Sequence, residues 1–171
     1  MRGLLIEVWG CLLMLLAAFV TDLRTMKIPN VITVTGICTG LSYHLLTEGW
    51  RGAWFAALGA AAGFGLMFAL YLLRAVGGGD VKLFAGIGAW TGIGLTLSTM
   101  MYSILAAGCI GIILLIWRRE AGVRLRRIAG SVLGAAVLRS TAPIKATAKN
   151  QLQFPFMLAV LPGAMLAIYY M

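Results

Sequence analysis

The sequence predicts an all-α, polytopic membrane protein with about six transmembrane helices, and three observations predict it. Of its 171 residues, 61% are hydrophobic and 11% are charged, whereas a soluble domain carries roughly 45–50% apolar and ~25% charged residues. The apolar residues fall in runs long enough to cross a bilayer, and the basic residues gather in alternate intervals between those runs. With a mean hydropathy of +0.97, the chain has too little polar surface to cover itself in water. A soluble globular enzyme, a disordered tail and a collagen-like fibre are all excluded.

A membrane-crossing helix needs about 20 predominantly apolar residues. The first candidate runs from about Leu4 to Val20, with Glu7 near one end. Only Met1-Arg2 precedes it and Phe19-Val20-Thr21 lacks an A-x-A cleavage site, which predicts a retained helix and not a signal peptide. Between Lys27 and Glu48 lie 20 uncharged residues, and between Arg51 and Arg74 lie 22. The 35 between Lys82 and Arg118 are too many for one span and enough for two short ones, with a turn expected near Thr96–Tyr102. A last run of 22 follows Lys149. The whole, 1–171, reads as one membrane-embedded domain with a long basic loop at about 118–150.

Alternation of sides places 22–30, 74–82 and 118–150 on one face. Twelve of the fourteen basic residues lie there, against Arg2 and Arg51 opposite. The positive-inside rule makes the basic face cytoplasmic and puts both termini outside. The formal charge of +9 is then a loop bias with affinity for anionic head groups, and not a nucleic-acid footprint. In the basic loop, Val123, Ile128, Val132 and Leu133 alternate at helical spacing with Arg124, Arg126 and Arg127, a pattern for adsorption on lipid. Ser140–Lys149 reads as flexible. Cys11, Cys38 and Cys109 form no C-x-x-C pair, and His44 is the only histidine, so no metal site, disulfide framework or cofactor is expected.

Only two aspartates are present, Asp22 and Asp80. The topology puts one at the end of the first span and the other at the start of the fourth, at one depth on the cytoplasmic side. Two carboxylates so placed suit an aspartic hydrolase, in which the ionised one takes a proton from water and the protonated one hydrogen-bonds the scissile carbonyl. Like charges about 3 Å apart share one proton. The competing explanation is a pair of flanking charges beside Arg24 and Lys82. Asp80, however, follows Gly77-Gly78-Gly79, and each glycine sacrifices roughly 1 kcal/mol of helix stability relative to alanine. Such a run admits an extended peptide beside the carboxylate. Asp22 precedes a stiff turn in which Pro29 holds Ile28 extended and the Asn30 amide can brace the loop. Lys82 sits two residues past Asp80 and is expected to bind head groups or position the loop.

Other proteolytic chemistries lack their parts. His44 and Ser42 point in different directions on a helix, no H-E-x-x-H is present, and no cysteine adjoins His44.

Gly77-Gly78-Gly79-Asp80-Val81-Lys82-Leu83 resembles the G-x-G-D-x-K-L element of the type IV prepilin peptidases. Asp22-Leu23-Arg24 followed by Lys27-Ile28-Pro29-Asn30 resembles that family's D-x-R…I-P-N motif. Phe154-Pro155-Phe156-Met157-Leu158-Ala159 with Gly163 is similar, more loosely, to the stretch opening its last span. The resemblance implies an aspartic endopeptidase of the bacterial cytoplasmic membrane. Such an enzyme removes the basic leader from prepilin or pseudopilin precursors on the cytoplasmic side, with Asp22 and Asp80 catalytic. It also implies Gly77, Gly78, Gly79, Lys82, Arg24, Pro29 and Asn30 around the substrate. Long members carry a cytoplasmic domain with C-x-x-C pairs and methylate the new N-terminus. Here the compact form, as in Flp (tight-adherence) systems, is implied, with N-methyltransferase activity unexpected.

Two other classes compete: a small ion- or proton-coupled transporter using the aspartates as a polar path, and a structural subunit of a secretion apparatus. Asp→Asn substitution separates the three.

Overall fold

The computed structural model describes residues 2–26, 28–73, 75–117 and 156–170. The basic loop 118–150 with its expected lipid-facing pattern, the segment Ser140–Lys149 expected to be flexible, Lys27, and the Phe154-Pro155 part of the last motif all lie outside the described residues. The described residues form α1 (Arg2–Thr25), α2 (Asn30–Glu48), α3 (Trp50–Leu72), α4 (Gly78–Trp117) and α5 (Met157–Tyr169), with no strand among them. The chain groups into two compact units, 1–107 with 155–171, and 108–154. Asp22 and Asp80 both lie in the first.

Three stretches are long and apolar enough to cross a membrane: Ile6–Thr25, Trp50–Leu72 and Gly78–Ile113. Their outward faces carry Trp9, Leu13, Leu58, Phe64 and Leu105, all exposed, while Thr33, Thr96, Thr99 and Ser103 are buried. Apolar outside and polar inside is the arrangement hydrocarbon solvent favours. Three of these hydroxyls bond carbonyls within the preceding turn, Thr33 to Asn30 (3.0 Å), Thr96 to Gly92 (2.6 Å) and Ser103 to Thr99 (2.6 Å), whereas Thr99 Oγ1 has no partner among the described residues.

The expected turn near Thr96–Tyr102 is corrected: those residues are helical, and the chain breaks at Gly92, with φ 71° and ψ −175°. A methyl group placed on Gly63 would touch both the Phe84 carbonyl oxygen and Thr96 Cγ2. In a straight helix residues twelve apart lie about 18 Å from each other. The chain therefore reverses at Gly92, and α4 is a hairpin of a first arm, 78–91, and a second arm, 93–117. Gly49, at φ 63° and ψ −142°, reverses α2 into α3 in nearly the same conformation. Both φ values lie in the left-handed region that glycine enters without a Cβ penalty. The expectation from uncharged length saw that two segments were needed but had no means of finding the break, because the second arm continues the apolar run without interruption.

Single-glycine turns leave no slack, so the helices touch backbone to backbone. Gly59 on α3 faces Gly88 on the first arm of α4, and a Cβ on either would overlap the other's carbonyl. Met14 of α1 fills the notch left by Gly36 and Gly86, and the Trp90 ring covers Gly10. Small residues that admit close approach are how helices associate where lipid removes the hydrophobic drive. His44, 1% exposed, lies where α2 passes the end of the first arm. Its Nε2 is 3.1 Å from the Trp90 carbonyl, an acceptor near the Gly92 break. The only histidine is thus a structural cap.

Candidate active site

The α1–α4 contacts set a register. Residue 10 meets 90 and residue 14 meets 86, so α1 and the first arm run antiparallel. Continued along both helices, this register brings Asp22 opposite the start of α4, where Asp80 lies in the first turn. Both are buried, at 6% and 7% exposure, and they are close enough to interact electrostatically.

Each carboxylate is anchored through one oxygen by a backbone N–H. At Asp80 the donor is local: Gly77 N–H reaches Oδ2 at 3.1 Å, while the Gly77 carbonyl accepts from Asp80 N–H at 3.1 Å. The first of these is the return half of a capping box, with the third helical residue bonding back to the N-cap N–H, while the glycine N-cap offers its carbonyl in place of a side chain. At Asp22 the donor comes from the far end of the chain. Met157 N–H, at the start of α5, reaches Oδ2 at 3.3 Å.

The remaining expected site residues fall around this pair. Asp22 lies in the last turn of α1, which continues to Thr25, five residues beyond the expected end of the span. The helix is closed by Met26 at φ 50°, whose N–H bonds the Asp22 carbonyl at 2.8 Å, a left-handed C-terminal stop made without glycine. Arg24 is exposed in that last turn, where a cation suits the helix C-terminus. Pro29, extended at φ −62° and ψ 138°, is the N-cap of α2. Asn30 Oδ1 accepts from Lys82 Nζ at 2.8 Å, so the two motif loops are tied directly to each other.

The three glycines divide their work. A Cβ on Gly79 would lie 3.2 Å from Ile28 Cβ, and one on Gly77 would lie 3.2 Å from Asp80 Oδ2. At Gly79 the missing side chain admits Ile28 of the loop, and at Gly77 it makes room for the acid itself. Gly78 meets only Tyr71, at 3.7 Å. Among the described residues no three His, Cys, Asp or Glu side chains group as a metal site. The Met157 donor was missed by sequence reasoning. The loose Phe-Pro-Phe-Met resemblance was its one signal, and nothing in the spacing says which group that segment meets.

Residues 9–116 match the model of the type IV leader peptidase family. The chain belongs to that family. It is 34% identical over 101 residues to a prepilin leader peptidase/N-methyltransferase of Bacillus subtilis, covering 57% of this chain and 40% of that protein. A protein of the same description from Aeromonas hydrophila is 33% identical over 125 residues, covering 66% and 43%. Leader peptidase HopD of Salmonella typhimurium is 35% identical over 107 residues, covering 58% of this chain and 69% of HopD. The chain thus spans about two fifths of the length of the two relatives described as bifunctional. No solved structure matches. The matched segment runs from within α1 to the penultimate residue of α4 and contains both aspartates. A family of membrane peptidases accords with the apolar exterior and long apolar helices.

Proposed function

We infer that the protein is a membrane aspartic endopeptidase that removes the cytoplasmic leader from prepilin-like precursors, with Asp22 and Asp80 as its catalytic pair. The observation that carries this reading is the convergence of two buried carboxylates, each held by one backbone N–H. One carboxylate takes a proton from water as the oxygen attacks the scissile carbonyl. The other, protonated, gives its proton to the developing oxyanion. As the C–N bond breaks, the first acid passes the proton taken from water to the departing amine, and the second recovers a proton from the hydroxyl that becomes the new carbonyl. Burial excludes bulk water, and the backbone anchors hold the reactive oxygens in place without reorganisation.

Six spans, with both termini outside and the site at the cytoplasmic interface, fit this chemistry, because a precursor anchored by its own apolar helix emerges there. The helix ends remote from the aspartates carry Trp50 edge-to-face on Trp54 and Tyr169 on Tyr170, amphipathic rings of the kind that gather at membrane interfaces. The sequence holds no C-x-x-C pair, which supports cleavage without methylation. The basic loop 118–150 suits either anionic lipid or an acidic part of the substrate.

The test is reconstitution in vesicles with a prepilin precursor. A product that starts at the leader junction and carries no added N-terminal methyl is expected; an untouched precursor would overturn the reading. The Lys82–Asn30 bond yields a second expected result. Lys82→Met and Asn30→Ala each remove it, and a hydrogen bond to a charged group at an exposed site is worth about 1–1.5 kcal/mol. Each variant is expected to lose roughly five- to tenfold in cleavage rate, and the double variant no more than either single one. Fully additive losses would show that the two residues act separately.

A further inference from the structure

We propose that the start of α5 is a working part of the site: the Met157 N–H is a positioning group that fixes the Asp22 carboxylate. This rests on the peptidase reading above and adds to it a third chain segment.

Met157 is fully buried, and Phe156, the N-cap of α5, makes no side-chain capping bond. The first N–H groups of a helix have no acceptor within it. Met157 finds one 135 positions away in sequence, in Asp22 Oδ2. The donor is itself firmly seated. α5 packs on α1, and at Gly163 it lies so close to α4 that a Cβ would come 2.7 Å from the Ser103 backbone nitrogen. Met157, Val160 and Ala164 are all buried in the core. Asp22, by contrast, stands in the last turn of α1, immediately before the left-handed Met26 and the loop to α2. A helix end is the least restrained part of a helix. An acid there needs an external anchor if one of its oxygens is to stay aimed at a reactant, and the Met157 N–H supplies it. Asp80 takes its anchor from its own N-cap, so the two acids are fixed by independent means.

The decisive substitution is Met157→Pro. Proline in the first turn of a helix breaks no intrahelical bond, so it deletes the donor to Asp22. It also disfavours the αR conformation of Phe156 (φ −62°, ψ −25°), and amide exchange in variants that keep Met157 is the control for that shift. Met157→Leu keeps the N–H and most of the buried volume, and sets the reference rate. With a prepilin precursor in vesicles, Met157→Pro is expected to lower kcat about tenfold or more below the leucine variant, with KM within twofold. Equal kcat values would overturn the proposal, as would a loss confined to KM. Should the proline variant fail to accumulate, amide exchange over residues 156–160 decides. Asp22→Ala, which removes the acceptor, is expected to speed exchange at Met157, and Asp22→Asn, which keeps one, is not. Identical exchange in the two would overturn the tie. If instead the unaltered protein leaves the precursor intact, the peptidase reading itself fails, an outcome distinct from any of these.

Discussion

Asp22→Asn and Asp80→Asn are each expected to reduce leader removal by at least about a thousandfold while leaving the protein inserted and folded. The amide is isosteric with the acid, and its oxygen can still accept the backbone bond that anchors each position, from Met157 N–H at Asp22 and from Gly77 N–H at Asp80. Packing and capping therefore survive. What is lost is proton transfer, because an amide neither takes a proton from water nor gives one to the scissile carbonyl. General acid–base catalysis by one group contributes about 10²–10⁴-fold, and groups that act as a unit fail together. The double variant is accordingly expected to be no slower than either single one. Cleavage rates, measured beside thermal unfolding of the same preparations, check this. A single variant that cleaves at the normal rate would remove the dyad. A flux defect with cleavage intact would favour a transporter, and no defect at all a structural subunit.

The parts of this site differ in how legible they were. Asp22 and Asp80 stood out because ionisable groups are rare in so apolar a chain, and because charge alternation alone places both on one side. The Asn30 brace was also legible in kind, since an amide after Pro29 has few other tasks; that its partner is Lys82 was not, because 52 residues separate them. Gly92 was invisible for a different reason. The argument from uncharged length sees only where polar residues interrupt a run, and a glycine turn within an apolar run needs no polar residue. Its positive φ marks the turn in the structure, yet in sequence it is one of 22 glycines. Gly36 and Gly40, and Gly59 and Gly63, are spaced four apart, the small-x-x-x-small signature of close helix contacts. That spacing was there to be read, but it names a face and not its partner. The anchor on Asp22 is the extreme case: a backbone N–H carries no side-chain signal at all.

The same glycine contacts lead to the largest expected effect on stability. Gly88→Val is expected to prevent accumulation of the folded protein, and Gly88→Ala to destabilise it by about 3 kcal/mol or more. A Cβ at Gly88 would overlap the carbonyl group of Gly59 and approach Ala60 N at 2.9 Å, and a Cβ at Gly59 would meet the Gly88 carbonyl in return. Ordinary overpacking costs about 1–3 kcal/mol because side chains shift out of the way. Here the obstacle is backbone on both sides, so the two helices must separate, which also opens the contact of Gly63 with the Phe84 carbonyl. Gly65, on the same helix with open space around it, is the control: Gly65→Ala is expected to be neutral or to stabilise by up to about 1 kcal/mol. Thermal unfolding in one detergent ranks the variants. Because the first arm of α4 carries Asp80, any separation from α3 moves an acid as well as weakening the fold. Gly88→Ala is therefore expected to lose more activity than its folded fraction accounts for, whereas Gly65→Ala keeps the two in step. If Gly88→Val were as stable and as active as Gly65→Ala, α3 and α4 would not be in backbone contact.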